Sequence, residues 1–276
     1  MLNRNKLSEL VMAALTWTAA ILTLGTLVFL VGFILVKGIP YIKPSLFSLT
    51  YNSENVSLMP AMITTIIMTL LSLLIAAPLG IFAAIYLVEY AKRGSKAVAL
   101  VRMTTETLSG IPSIVYGLFG MLFFVTFLGW GFSMVAGAFT LSIMILPLIM
   151  RSSEEALKSV PDTYREGAFG LGAGKLRAVF RIVLPSAMPG ILAGIILSIG
   201  RIVGETAALI YTAGTVAQIP TSPMQSARTL SVHMYALSSE GLHTNEGYAT
   251  AVVLLLVVVL INTLSANIAK RIGRTA

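Results

Sequence analysis

The chain has 276 residues, of which 57% are hydrophobic and only 11% charged, and its mean hydropathy is +0.90. A soluble globular protein has roughly 45–50% apolar and about 25% charged residues, so this composition excludes an ordinary soluble domain and a disordered chain. The sequence has no cysteine, which excludes disulfides, thiol catalysis and zinc–thiolate sites. Runs of about 20 apolar residues recur along the chain and indicate an all-α polytopic membrane protein.

Six apolar segments are each long enough to cross a bilayer as a helix. We predict spans over residues 12–36, 60–88, 109–128, 132–150, 187–212 and 247–268. The first span is too long for a signal-peptide core and no small-residue cleavage site follows it, so we expect it to stay in the mature protein. The prediction divides the chain into residues 1–59, with one span and an outer loop, and residues 60–276, with five spans.

The basic residues are distributed unevenly between the two sides of these spans. Most of the 19 fall on one side: Arg4, Lys6, Lys92, Arg93, Lys96, Arg102, Arg151, Lys158, Arg165, Lys175, Arg177, Arg181, Lys270, Arg271 and Arg274. The other side receives Lys37, Lys43 and Arg228, and Arg201 lies inside the fifth span. The positive-inside rule therefore predicts that both termini are cytoplasmic. The same rule accounts for the net charge of +8, because basic residues collect on the cytoplasmic side of membrane proteins, and the charge therefore does not indicate nucleic-acid binding.

The third predicted span begins with a Gly-x-Pro interruption, Ser109-Gly110-Ile111-Pro112-Ser113. One interpretation is a half-helix end at which the backbone around Gly110, Pro112 and Ser113 contacts an anion. The other is a proline kink whose free backbone groups are satisfied by neighbouring helices. The residues alone leave both interpretations open.

The longest cytoplasmic connection, residues 151–186, is too short for an independent domain, which needs about 50 residues. Its stretch 169–176 contains Gly-Leu-Gly-Ala-Gly-Lys but lacks the first glycine and the final Ser or Thr of a phosphate-binding loop. We see no nucleophile–base pair or metal cluster, and therefore predict no catalytic residues, no cofactor and no enzyme activity in this chain. If transport uses ATP, a partner chain must hydrolyse it.

This connection also contains residues that typically begin and end short helices, and they predict two of them. Pro161 ends one helix, Asp162 or Thr163 is expected to cap the next, and glycines at 170, 172 and 174 permit a sharp turn. A second helix is predicted from Lys175 to about 184, with Pro185 marking the start of the fifth span. Physical pattern alone leaves open a basic amphipathic loop that rests at the lipid headgroups.

The spacing of residues within this loop resembles a known signature. Glu166-Gly167-Ala168, then Gly172, then Ile182-x-Leu184-Pro185 is similar to the Glu-Ala-Ala-x3-Gly-x9-Ile-x-Leu-Pro loop of permease subunits in binding-protein-dependent ABC importers. The one departure is Gly167 in place of the first alanine. The resemblance implies a type I ABC importer permease fold and a coupling helix that docks on a separate ATPase subunit. The docking residues would be Glu166, Gly167, Ala168, Gly172, Leu184 and Pro185.

The fifth span carries two charges inside an apolar segment, Arg201 and Glu205. Each costs at least ~2.5 kcal/mol to insert, so both must face protein or water. On a continuous helix they share a small, polar face with Ser198 and several glycines, opposite a bulky aliphatic face. Two interpretations follow: a buried ion pair that bridges helices, or an arginine that meets an anion in transit, since a guanidinium matches two phosphate oxygens. The two histidines, His233 and His243, are predicted to lie at the outer surface.

Three further stretches resemble one particular group of permeases within this family. Arg201-x-x-Gly204-Glu205-Thr206-Ala207, the segment 109–120 and the segment 232–241 are similar to permeases of the high-affinity phosphate importer. That resemblance implies that Arg201, Glu205, Ser198 and Thr206 line the substrate pathway. It also implies a bacterial inner-membrane location, a second homologous permease, a pair of ATPase subunits, a periplasmic phosphate-binding protein and phosphate as the substrate. Two alternatives stay open: an importer of another oxyanion, and a stand-alone proton-coupled carrier.

Overall fold

The computed structural model describes residues 4–92 and 94–275 and contains eleven α-helices in that part of the chain. These are α1 (Arg4–Gly38), α2 (Met59–Ile85), α3 (Lys96–Ser109), α4 (Ser113–Gly120), α5 (Met134–Ser159), α6 (Asp162–Gly170), α7 (Lys175–Ala178), α8 (Leu184–Val203), α9 (Ala207–Ile210), α10 (Leu230–Glu240) and α11 (Thr244–Thr275). Short π-helical segments extend α2 to Tyr90 and α4 to Phe127, and another joins α7 to α8. Residues 1–3 and 276, and the side chains of Arg4, Lys6, Arg93, Lys270, Arg271 and Arg274, lie outside the described part.

The described helices confirm an all-α membrane protein. Five are long and apolar enough to cross a bilayer: Ser8–Tyr41, Met59–Tyr90, Met134–Ser159, Lys175–Val203 and Thr244–Asn267. The helices Lys96–Ser109 and Ser113–Phe127 meet the same length and composition test as a bent pair, and they give a sixth crossing if the pair is counted as one span. Each of the six predicted spans therefore overlaps one of these crossings.

The third crossing differs from its prediction. The expected single helix over 109–128 begins only at Ser113, and the preceding residues form a separate helix, α3, at 101° to it. The connection between the second and third predicted spans is thus partly helical. Pro112 cannot donate a backbone hydrogen bond and disfavours helical geometry in the residue before it, which explains why the chain turns here.

Three spans form the central packing unit. Ser72 on α2 and Ser142 on α5 bond across the interface, each to a backbone carbonyl of the other helix. Gly80 permits the close approach, because a Cβ there would lie 2.9 Å from the Cγ2 of Ile149. α8 packs on the other side of α5. Small residues and interhelical hydrogen bonds at these contacts are typical of helices that associate in lipid.

The first span stands apart from this unit. Its apolar side chains from residues 8 to 30 are exposed, and it meets the bundle only near its end, where Gly38 packs against Tyr248 and Val252 of α11. The outer loop that follows does pack on the bundle, through the buried side chains of Leu46 and Leu58. The exposed apolar surface of α1 suits lipid or another apolar helix. The division of the chain at residue 59 stays a prediction.

Candidate functional site

The fifth span is interrupted where its two charged residues lie. α8 ends at Val203, and α9 begins only at Ala207. The prediction of one continuous helix over 187–212 is therefore wrong beyond Val203, and the helical wheel that placed Glu205 beside Arg201 does not hold. No ion pair between these two side chains is present in the described structure.

Glu205 instead stabilises the interruption itself. Its side chain is buried, and Oε1 accepts a hydrogen bond of 3.0 Å from the backbone N–H of Ala208 at the start of α9. A carboxylate is favoured at this position because the first N–H groups of a helix have no acceptor within it. The Glu205 carbonyl also accepts a hydrogen bond from the Ser231 hydroxyl on α10. Glu205 therefore fastens the interruption to two outer helices.

Arg201 lies in the last turn of α8 and is only partly exposed. It forms no hydrogen bond and no ion pair with the rest of the described chain. Its guanidinium lies within electrostatic range of the Tyr116 hydroxyl. It also borders an open, mostly apolar cavity of about 550 Å³, lined in addition by Leu148, Ala193, Ile196, Leu197, Gly200 and Asn262. The Arg201 guanidinium thus lies in apolar surroundings, and the described part of the chain supplies no carboxylate to pair with it.

Tyr116, which interacts electrostatically with this arginine, belongs to the helix that follows the α3–α4 junction. Pro112 is the last residue before α4, and Ser113 opens the helix. The Tyr116 hydroxyl donates a hydrogen bond of 2.7 Å to the carbonyl of Leu108, which ties α4 back to the end of α3. The first backbone N–H groups of α4 have no acceptor within the helix, and Tyr116 on the same helix lies within electrostatic range of Arg201.

The two interrupted crossings pack directly against each other. A Cβ on Gly117 of α4 would lie 2.8 Å from the Cα of Ala208 on α9, so only glycine permits this contact. Each non-helical junction, residues 109–112 and 204–206, immediately precedes one of these two helices. The structure therefore packs the helix that follows Gly110, Pro112 and Ser113 against the helix that follows Thr206.

The predicted polar face of α8 is divided between two environments. Its N-terminal half packs on α5: a Cβ on Gly190 would lie 2.7 Å from that of Ala156, and one on Gly194 would collide with Ser152. Ser198 is fully buried there and donates a hydrogen bond to the carbonyl of Gly194. Ser198 has no surface for an anion in this conformation. Near Arg201 the helix has open space, since a Cβ on Gly200 would meet only Asn262 at 3.9 Å.

The expected coupling loop forms a surface helix followed by a turn. α6 begins at Asp162 after Pro161, so neither Asp162 nor Thr163 is the predicted cap. Glu166 and Gly167 are exposed, whereas Ala168 is buried against the bundle. The left-handed backbone of Gly172, with a φ of 81°, closes the turn.

The second helix of the loop is not separate from the fifth span. The chain is helical without a break from Lys175 to Val203, passing through a π-helical turn at Val179–Val183. Leu184 and Pro185 therefore lie within a continuous helix and do not mark the start of a new one. Proline is tolerated here because the widened π turn leaves its position without a required hydrogen-bond donor.

Two ion-pair groups join helices near the ends of the second span and of α5. Arg165 on α6 contacts Glu89 at the end of the second span, with 2.8 Å between Nη2 and Oε1. Glu154 on α5 lies between Arg102 and Lys158, at 2.7 and 2.6 Å. The Glu154 side chain is buried. Contacts over 76 residues, as between Arg165 and Glu89, leave no periodic signal in a sequence.

His233 was predicted at the surface and is fully buried instead. Its ring nitrogens contact the Val56 carbonyl and the Arg228 guanidinium, each at 3.3 Å. Burial and the neighbouring Arg228 charge lower the pKa of His233 to about 4. A neutral imidazole therefore joins α10 to the outer loop before α2.

Comparisons with known proteins agree with this architecture. A family model described as "Binding-protein-dependent transport system inner membrane component" matches residues 76–275. A bacterial ABC transporter involved in the import of the acidic polysaccharide alginate has a chain of the same fold. That chain aligns with a TM-score of 0.67 and 16% identity over 97% of this chain and 99% of its own length. The type I ABC importer permease fold implied by the sequence is confirmed.

Two curated relatives are similar in sequence. "Probable ABC transporter permease protein YqgI" of Bacillus subtilis is 37% identical over 185 residues, which cover 62% of this chain and 63% of the relative. "Phosphate transport system permease protein PstA 2" of Mycobacterium bovis is 37% identical over 216 residues, which cover 76% of this chain and 71% of the relative. The alignment thus spans slightly less than two thirds of YqgI. The chain belongs to the family of binding-protein-dependent transport system inner membrane components.

Proposed function

We propose that this chain is a permease subunit of an ATP-driven importer that moves inorganic phosphate across the bacterial inner membrane. The observation that carries the proposal is the state of Arg201. It lies just before the interruption of the fifth span, in apolar surroundings, and finds no carboxylate in the described chain. A guanidinium held in this way suits a tetrahedral oxyanion, which can accept two parallel hydrogen bonds from it. The relative named as a phosphate permease supports the choice of phosphate among oxyanions.

Arg201 and Thr206 are the pathway residues that we propose to face the anion. Gly110, Pro112 and Ser113 set the geometry of the α4 start, whose backbone N–H groups would add neutral donors. Glu205 would act indirectly, by holding the interruption open. Ser198 would support the α8–α5 contact unless α8 rotates during transport. Since Glu205 is engaged by the start of α9, the geometry does not favour a proton-coupled carrier that uses an Arg201–Glu205 pair.

The energy would come from a separate ATPase pair that docks on α6 and the following turn. We propose that Glu166, Gly167, Ala168, Gly172, Leu184 and Pro185 shape this docking surface. The exposed face of α6 supports contact with another protein, while its inner face is fixed to the bundle. A second homologous permease and a periplasmic phosphate-binding protein would complete the assembly, with both termini of this chain in the cytoplasm.

The test is ATP hydrolysis by the complete transporter in lipid vesicles. We expect phosphate-loaded binding protein to stimulate hydrolysis, and sulfate or molybdate to give no stimulation through the same protein. Stimulation by sulfate or molybdate but not phosphate would replace the substrate with another oxyanion. Uptake by this chain without any ATPase subunit would instead support the stand-alone carrier.

A further inference from the structure

The guanidinium of Arg165 connects α6 to the membrane spans. Although it belongs to a surface helix, the Arg165 side chain is only 15% exposed and the Glu89 side chain only 7%. Nε and Nη2 of Arg165 lie 3.0 and 2.8 Å from Oε1 of Glu89. Glu89 belongs to the π-helical end of the second span. This contact therefore joins two elements that the chain itself does not connect directly.

The same guanidinium also binds the end of α5. Nη2 donates to the carbonyl of Leu157 at 2.9 Å, and Nη1 donates to that of Val160 at 2.8 Å. These carbonyls belong to the last turn of a helix, where they lack partners within it. One side chain thus satisfies a buried carboxylate and two helix-end carbonyls at once. Removing it would leave all three without this partner, which is costly for buried polar groups.

The backbone on the other side of α6 provides a less direct connection. α6 is followed by a turn that contains Gly170, Gly172 and Gly174, and no atom beyond the local chain would contact a Cβ at any of the three. This turn leads to α7 and then to the fifth span. The Arg165 contacts are consequently the most direct physical link from α6 to the second span.

We propose that Arg165 is a positioning residue that transmits movement of α6 to α2 and α5 through Glu89 and the end of α5. The inference rests on the proposed function, in which an ATPase subunit displaces α6. When α6 moves, the charge-assisted contacts keep Glu89 with it, and the second and fourth spans move as one body. Without Arg165, α6 can still be displaced, but the second span no longer follows.

The variants Arg165→Gln and Glu89→Gln test this in the complete transporter in vesicles, with phosphate uptake and ATP hydrolysis measured together. We expect hydrolysis to continue while phosphate imported per ATP falls by about tenfold, within the usual range of coupling between sites. Glu155→Gln is the matched control, because it removes an exposed arginine–glutamate pair on the same side. Co-purification and the thermal midpoint of each complex show whether assembly and stability are retained.

The absence of cysteine from the chain permits a rescue experiment. In the double variant Glu89→Cys, Arg165→Cys we expect uncoupled hydrolysis, and a bifunctional thiol-reactive linker should restore uptake by replacing the lost contact. A monofunctional reagent should not restore it. Normal uptake per ATP in Arg165→Gln and Glu89→Gln, or failure of the linker to raise it, would overturn the inference. Loss of the ATPase subunit from these variants would also overturn it, by assigning Arg165 to docking.

A spin label on Leu74→Cys, an exposed position of α2, distinguishes failure of this inference from failure of the proposed substrate. In the otherwise unaltered transporter we expect an ATP-dependent change in the mobility of the label, and in Glu89→Gln we expect that change to be lost. If the unaltered transporter shows the change but imports no phosphate, only the substrate assignment fails. If Glu89→Gln retains the full change, the role of Arg165 fails whatever the substrate.

Discussion

The two halves of the fifth span use similar residues in opposite ways. In the N-terminal half of α8, Gly190 and Gly194 bring the helix against α5, and Ser198 is buried. At the outer end, Gly200 has open space, since a Cβ there would meet only Asn262 at 3.9 Å. The small residues therefore allow close helix packing in one half of α8 and face open space in the other half. A small, polar helix face does not by itself indicate a pathway.

The same contrast separates two arginines. Arg165 makes contacts with a buried carboxylate and two carbonyls, so its charge is compensated within the chain. Arg201 has apolar neighbours and no carboxylate or carbonyl partner in the described chain. An arginine with satisfied donors holds structure together, whereas one with free donors in a desolvated place is suited to bind an anion.

The largest effect is expected at the open end of α8. Arg201→Ala should lower phosphate uptake by about 100-fold, because the anion would lose a charged partner in apolar surroundings. Arg201→Lys should be intermediate, since an ammonium keeps the charge but not the paired donors. Labelled-phosphate uptake in cells measures both. Arg151→Ala, which removes an exposed arginine, is the control. Normal uptake by Arg201→Ala at an unchanged level of assembled complex would contradict this role.

The next effect concerns the outer helix that covers the interruption. The lowered pKa of His233 means that the folded protein binds this proton less tightly than the unfolded chain. Its contribution to stability is therefore fully present above pH 6.5 and is lost as the pH falls towards about 4. The total change is on the order of 3 kcal/mol.

Thermal unfolding of the purified protein between pH 4 and 7.5 measures this change. His233→Gln should flatten the pH dependence, whereas His243→Gln should not, because His243 is partly exposed and only weakly paired. The same pH slope in His233→Gln as in the unaltered protein would show that other groups cause it.

Two glycine substitutions compare the closed and open halves of α8. Gly194→Ala should destabilise the protein by about 1–3 kcal/mol, because its Cβ would collide with Ser152 on α5. Gly200→Ala should be neutral or stabilise by up to about 1 kcal/mol, since alanine favours the helix and the space is open. The thermal midpoints of unfolding of the two variants measure this difference. Equal thermal midpoints for the two variants would contradict the proposed difference in packing between the two halves of α8.

The smallest effect is expected at Glu205. Glu205→Ala removes the acceptor for the Ala208 N–H and should cost about 1 kcal/mol, as for other helix caps. Glu205→Gln keeps an acceptor and should cost less. A larger stability loss in Glu205→Gln than in Glu205→Ala would show that the charge itself is required.

Hydrophobic length predicted most of the fold. Every crossing was located because about 20 apolar residues are needed to span a bilayer, and Pro112 marked the interruption of the third. The break after Val203 was missed because Arg201 and Glu205 have the spacing of a helical ion pair. Nothing local distinguishes such a pair from an arginine followed by a helix-capping glutamate.

Individual residues of the candidate site were predicted from the sequence, but their arrangement in space was not. Arg201 was singled out because a charge in an apolar segment is costly wherever it points. Its neighbour Tyr116, and the contact of Gly117 with Ala208, depend on how two crossings pack, which a single sequence does not encode locally. Arg165 was counted only as a cytoplasmic charge, because its partners lie on other elements.

The most direct test of the central claim is labelled-phosphate uptake by phosphate-starved cells that carry or lack this gene, with sulfate and molybdate as competitors. Our account predicts that cells without the gene lose high-affinity phosphate uptake, and that excess sulfate or molybdate leaves uptake by cells with the gene unchanged. Equal phosphate uptake with and without the gene would contradict the assignment of phosphate as the substrate.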